Sequence, residues 1–158
     1  MFKILDKDNN EIEYSVNAYC TKIFPLENFS AFGLEMDGIY FYTSEHAFQY
    51  LKFVDTNMDI ANEIRNIKSP YEAREIAGKY KSERVKNWSD IKYDIMEKVI
   101  KLKVEQNKIV KECLNNTRGY TIVEFCEDED TDWGLDKNFQ GENNLGKILM
   151  KIRDEMGE

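Results

Sequence analysis

Apolar positions along this chain change period several times, and each change marks a new element. Ile91, Ile95, Val99, Leu102, Ile109 and Leu114 recur at mostly helical spacing, which predicts one long helix from Ser89 to about Asn116, with Gly119 as its terminator. Met58 to Ile67 reads as a shorter helix. Ser69-Pro70 places an N-cap residue before a proline at the first helical position, so another helix starts there and ends near Gly78. Leu145, Ile148, Leu149 and Ile152 mark a closing amphipathic helix. Alternation marks the strands: Gly33 to Met36 and Ile39 to Tyr42 flank Asp37-Gly38, a pair that favours a type I′ hairpin turn. Phe2 to Leu5, the turn-like Asp6 to Asn10 and Glu11 to Val16 read as an N-terminal hairpin, and Tyr120 to Phe125 as a later strand. With no repeat or low-complexity tract, the elements are expected to share one predominantly helical α+β core, a single domain over 1–158 with residues 1–20 as an accessory hairpin.

Length and composition narrow the class. A chain of 158 residues buries enough surface to need no disulfide or metal staple. Cys20, Cys113 and Cys126 are odd in number and widely spaced, which fits reduced thiols packed as small apolar groups. The absence of a leader or a long apolar run leads us to expect a soluble, cytoplasmic protein without a membrane partner. Net charge is −8 but unevenly spread. Residues 65–118 hold 14 Lys/Arg against 8 Asp/Glu, a balance of +6, and the remainder holds 8 against 22, or −14. An acidic total disfavours non-specific nucleic-acid binding, while a basic middle suits a phosphate or pyrophosphate. Lys79, Lys81, Arg84 and Lys86 lie just before Trp88, and a solvated helix face is the plainer reading for any one of them.

Both tryptophans sit in polar surroundings, Lys86-Asn87-Trp88-Ser89-Asp90 and Asp130-Thr131-Asp132-Trp133-Gly134, where a core role is weakest and a ligand is suggested. Thr43 or Ser44 caps a helix that projects Glu45, Gln49 and Lys52 on one face at i, i+4 and i+7, so a carboxylate, an amide and an amine converge. Glu45 alone reads equally well as an ordinary first-turn glutamate. His46 is the one histidine, which removes zinc proteases of the HExxH type. The run Glu127 to Asp132 fails as an EF-hand, because counting from Asp128 the required glycine and bidentate glutamate are Trp133 and Phe139; no metal or other cofactor is expected. Gly134, Gly141 and Gly146 surround a loop ending in Asn143-Asn144 at the final helix, whose amides could receive an anion. Neither a Walker sequence nor GxGxxG occurs.

In order along the chain stand Asn28-Phe29-Ser30, Asp37-Gly38, Ser44-Glu45-His46 with Gln49 and Lys52-Phe53, Ser69-Pro70, Trp88, Met96, Lys103 with Gln106, Asp130-x-x-Trp133-Gly134, Gly141-x-Asn143-x-Leu145-Gly146 and Leu149-Met150 with Arg153. This ordered set, over roughly residues 28–156, resembles the YbiA-like or NADAR family. The resemblance implies a compact α+β domain with N-glycosidase activity, acting on ribosylamine phosphates of riboflavin biosynthesis or on ADP-ribosylated guanine in nucleotides or DNA, and linked to NAD and ADP-ribose metabolism. It places Glu45, Trp88, Asp130 and Trp133 at the active site; Phe29, Gln49, Gly134 and Asn143 are taken as further substrate contacts and Lys52, from its helix face, as a third catalytic candidate. The chain departs from the family pattern at Ser30-Ala31-Phe32, Ala77-Gly78-Lys79 and Leu135 to Gln140, which bears on the phosphate contacts more than on the acids and indoles.

Three readings of the chemistry follow. In the first, Glu45 protonates the departing nitrogen and ionised Asp130 stabilises the oxocarbenium-like carbon, by analogy with two-carboxyl glycoside hydrolysis, while Trp88 and Trp133 wall the base. In the second, Lys52 attacks a ring-opened ribosylamine as a Schiff-base lysine. In the third, the protein is a non-catalytic sensor of ADP-ribose or NAD-derived nucleotides.

Overall fold

The computed structural model describes residues 2–12, 24–126 and 131–157. These form two compact units: a middle unit of residues Asn28–Asn107, and a terminal unit assembled from residues on either side of it. The architecture is the expected α+β, largely helical, with two two-stranded antiparallel sheets among the described residues.

The middle unit begins with the hairpin β2 (Leu34–Met36) and β3 (Ile39–Phe41), numbered after β1 (Phe2–Leu5) of the terminal unit. Its register pairs Leu34 with Phe41 and Met36 with Ile39. Asp37 and Gly38 both take positive φ, 54° and 77°, as the type I′ turn demands. Leu34, Met36 and Phe41 point inward while Glu35 and Tyr40 face solvent, so the period-2 pattern finds its core. Helices α1 (Ser44–Tyr50), α2 (Met58–Asn66), α3 (Pro70–Lys79) and α4 (Trp88–Gln106) complete the unit. Thr43, Asn57 and Ser69 cap the first three, each accepting from a first-turn amide, and Pro70 opens α3 where its missing N–H costs nothing. Their apolar faces meet in one cluster that includes Phe41, Tyr50, Phe53, Ile64, Ala73, Ala77 and Val99. Full burial of a side chain such as Phe53 contributes roughly 2–3 kcal/mol.

The long helix expected from Ser89 to Asn116 is two helices, α4 and α5 (Lys108–Asn115). The break is at Asn107, whose φ of −125° and ψ of 104° are extended. Its side-chain amide donates to Lys103 O and to Gly33 O, both at 2.8 Å. In a continuous helix the Lys103 carbonyl would accept from the backbone amide of Asn107; the side chain takes that acceptor and ends the helix. Helical spacing of Ile109 and Leu114 continued through the break, so periodicity alone could not reveal it.

In the terminal unit β1 pairs antiparallel with β4 (Thr121–Glu124), in a register that sets Phe2 opposite Glu124 and Leu5 opposite Thr121. The N-terminal hairpin is present in its first rungs, where Ile12 N donates to Ile4 O at 3.0 Å; residues 13–16 of that expected strand lie outside the described residues. Helix α6 (Asn144–Glu155) packs on β4, and Gly146 lets it approach so closely that a Cβ would collide with Ile122 O. Arg153 on α6 donates from Nη1 to Thr117 O at 2.8 Å and Tyr120 O at 2.9 Å, holding the turn at Gly119.

Candidate active site

Helix α1 carries a concentration of polar groups that its burial should forbid. All seven of its residues are buried, including Ser44, Glu45, His46 and Gln49. Buried polar groups are costly unless partnered, and nearly every one here is. Ser44 Oγ donates to Asn28, at 3.0 Å to its side-chain oxygen and 3.2 Å to its carbonyl. Glu45 N donates to the same Asn28 carbonyl at 3.1 Å. Asn28 thus holds the entry of the helix; its place beside Phe29 and Ser30 in the sequence pattern was the one available signal for it. Ser30 is in turn fixed by buried Lys103, whose Nζ donates to Ser30 Oγ at 2.8 Å.

His46 is a structural residue. Its Nε2 is 3.1 Å from Ile67 O and its Nδ1 2.8 Å from Thr43 Oγ1, an arrangement that a neutral ring satisfies by donating at Nε2 and accepting at Nδ1. Burial holds its pKa below the usual histidine value.

Glu45 and Gln49 form the centre of the candidate site. Gln49 Nε2 donates to Glu45 Oε1 at 2.7 Å, while Gln49 Oε1 is buried with no hydrogen-bond partner among the described residues. Burial drives the Glu45 carboxyl above the ordinary glutamate range, against the smaller lowering effects of the Gln49 bond, the Lys52 charge and the Arg74 charge. Glu45 is therefore a candidate proton donor.

Lys52 follows in the turn after α1, where Lys52 N donates to Gln49 O at 3.2 Å, so the amine stays on the helix face expected of it. Its Nζ lies 5.3 Å from the centre of the Phe48 ring and 5.4 Å from that of Trp88. Burial lowers its pKa from 10.5 to about 8, and Arg84, Arg74 and Lys81 press in the same direction while Glu45 opposes them. Arg84 is brought close because Val85 N donates to Lys52 O at 2.9 Å. Of these cations Arg74 was not singled out by the sequence, since it reads there as one more exposed helix residue.

Trp88 departs from expectation. Its charged sequence neighbours implied an open ring, yet it is 3% exposed, packed against Phe48 with centroids 5.0 Å apart at 61°. The neighbours face outward because Trp88 is the first residue of α4, and one turn separates the buried stripe from the solvated one. Phe29 is half-buried in the same unit.

The middle unit thus brings together Glu45, Gln49, Lys52 and Trp88. Trp133, Gly134 and Asn143 belong to the terminal unit. Gly134 sits where a Cβ would strike Glu124 O and Cys126 Sγ. Asn143 has a φ of 51°; its side-chain oxygen accepts from Glu124 N and its Nδ2 donates to Ile122 O, both at 3.0 Å, so the amide acts as an extra rung on β4. Asp130 lies outside the described residues, as do Glu127, Asp128 and Glu129 of the acidic run and Cys20. Among the described residues no group of three or more His, Cys, Asp or Glu is placed to hold a metal ion, and no helix is long and apolar enough to cross a membrane.

Comparison with known proteins gives the family and the fold. A sequence model of the NADAR domain matches residues 7–157, beginning earlier than the quoted motifs. N-glycosidase YbiA of Shigella boydii serotype 4 is 35% identical over 131 residues, covering 83% of this chain and 80% of that protein. The chloroplastic riboflavin biosynthesis protein PYRR of Zea mays is 34% identical over 144 residues, 83% of this chain and 23% of its own length. The NMR structure of Escherichia coli YbiA superposes with a TM-score of 0.76 at 32% identity, covering 90% of this chain and 82% of that one.

Proposed function

The chain belongs to the NADAR domain family and is a hydrolase of N-glycosyl bonds, and we propose that its substrate is a phosphorylated N-riboside. Two forms of that substrate suit the family: a ribosylamine phosphate of the riboflavin pathway, or ADP-ribose joined to guanine. The riboflavin names among the relatives favour the first, as does the acidic total charge, which disfavours duplex DNA.

Cleaving a ribosyl C–N bond leaves positive charge on the anomeric carbon and negative charge on the departing nitrogen. The single observation that carries the proposal is Glu45, buried, held by Gln49 and shifted toward its protonated form, because a leaving nitrogen needs a proton from a group of raised pKa. In this scheme Glu45 is the general acid, Trp88 supports the ring of the base, and the cations Lys52, Arg74 and Arg84 offer counter-charge to a phosphate. Asp130, as the ionised carboxylate, and Trp133, as a second aromatic contact, enter from the family pattern alone, together with Phe29, Gln49, Gly134 and Asn143 as substrate contacts.

A second route has its own observation, the Lys52 pKa of about 8, which leaves a usable fraction of free amine at mildly alkaline pH. There Lys52 Nζ would bond to C1 of the ring-opened substrate, the nitrogen base would leave protonated as its amine, and water would later hydrolyse the resulting lysine–sugar imine to free sugar and lysine. The experiment for the substrate is incubation of the purified protein with ribosylamine phosphates, ADP-ribosylated guanine nucleoside, ADP-ribose and NAD, with chromatography of the released base. Release from the ribosylamine phosphates is expected; binding of every candidate with release from none would leave a sensor in place of an enzyme.

A further inference from the structure

Gln49 presents a puzzle that its bond to Glu45 solves only halfway. A planar amide has one oxygen and one NH₂; here the NH₂ donates to Glu45 Oε1 and the oxygen is buried without a partner among the described residues. Leaving a buried carbonyl unpaired costs on the order of 1–3 kcal/mol. An ionised Glu45 cannot relieve that cost, since a carboxylate only accepts and its second oxygen would repel the amide oxygen. A neutral Glu45 can, because its remaining oxygen then carries a hydrogen.

We propose that Gln49 is a positioning residue that selects the protonated form of Glu45: Gln49 Nε2–H donates to Glu45 Oε1 while Glu45 Oε2–H donates to Gln49 Oε1, closing a carboxylic acid–amide ring. The spacing of four residues on α1 lays the two side chains side by side, as such a ring requires. Both residues are buried, at 6% and 5% exposure, so bulk solvent does not reach the pair freely. Among the described residues, the charged groups acting on Glu45 are Lys52 from the turn after α1 and Arg74 from α3, and both favour the carboxylate. Holding the acid neutral against two cations is then the work of burial and of the amide oxygen together. The inference rests on the assignment of Glu45 as proton donor and adds the device that keeps it loaded: after giving up its proton Glu45 faces the Gln49 oxygen unpaired, which drives reprotonation.

The two accounts of Gln49 predict opposite signs. If Gln49 only donates, it stabilises the carboxylate, and removing it raises the Glu45 midpoint; if the ring forms, removing it lowers the midpoint toward that of an ordinary glutamate. Carboxyl ¹³C NMR titration of the full chain, with the Glu45 resonance assigned by its loss in Glu45→Gln, reads this directly. Gln49→Leu and Gln49→Met should each lower the midpoint by about one unit relative to the parent protein. An unchanged or raised midpoint overturns the proposal. Should neither variant fold, isotope-edited infrared spectroscopy of the parent decides: a protonated Glu45 with a strongly hydrogen-bonded carbonyl at neutral pH supports the ring, and a carboxylate band overturns it. Failure of the functional reading would appear instead as absence of base release, with the titration result unaltered.

Discussion

The Lys52 ammonium stands 5.4 Å from the centre of the Trp88 ring, at the edge of a buried site that also holds Glu45. An aromatic face attracts a cation by about 0.5–2 kcal/mol, yet desolvation and neighbouring cations still bring this lysine to about 8. Acid and amine on the same short stretch of chain are therefore both moved toward their neutral forms, which suits proton transfer at neutral pH.

Replacing Glu45 by Gln should lower turnover by at least about 10²-fold, the lower end for a lost general acid. The same change should stabilise the fold at pH 7. The raised Glu45 pKa makes the folded state bind more protons than the unfolded one, so the stability Glu45 contributes is full below pH 4.5 and is lost as pH rises through the folded value. Steady-state assay and thermal melting of one preparation test both, and a variant that keeps near-parental turnover removes Glu45 from the chemistry.

Borohydride added during turnover should leave no adduct on Lys52 if water attacks directly, and Lys52→Arg should retain turnover within about tenfold because the charge is kept. Mass spectrometry of the trapped protein is the measurement. A stable adduct on Lys52, with an inactive Lys52→Arg, would transfer the reaction to the Schiff-base route.

Lowering the pH should destabilise the protein through His46. Its folded pKa lies below the ordinary 6.5, so the stability it contributes is full above pH 6.5 and is lost as pH falls below that value toward the depressed one. From pH 7 to pH 5 the melting temperature of the parent should lose ground against that of His46→Gln, a difference in which the Glu45 contribution of opposite sign cancels.

Asn143→Gly should cost roughly 1–3 kcal/mol, because the left-handed backbone is kept while Ile122 O and Glu124 N lose their partners. Asn143→Ala should cost more, since alanine also meets the strain of a φ of 51°. Urea denaturation of the two variants checks the order.

Where the signals were local, the sequence was enough. Asp37-Gly38 has one comfortable hairpin geometry, Thr43 and Ser69 have a helix to cap, and four-residue spacing puts Gln49 on Glu45. Where a partner came from far along the chain, it was not. Asn107 breaks a regular helical pattern because it reaches Gly33, and β1 found β4 rather than only its own hairpin. Trp88 read as open because its neighbours in sequence are charged, although its neighbour in space is Phe48.

By itself, then, the amino-acid order determined the element types, the family motifs and the alignment of carboxylate, amide and amine on one helix. Only the tertiary structure decided that this helix is buried all round, that the Gln49 carbonyl has no partner among the described residues, and that Glu45 and Lys52 are shifted toward neutrality. The physical reason is range: turn, cap and periodicity signals act over a few residues, whereas desolvation is set by whatever the whole unit packs around the group.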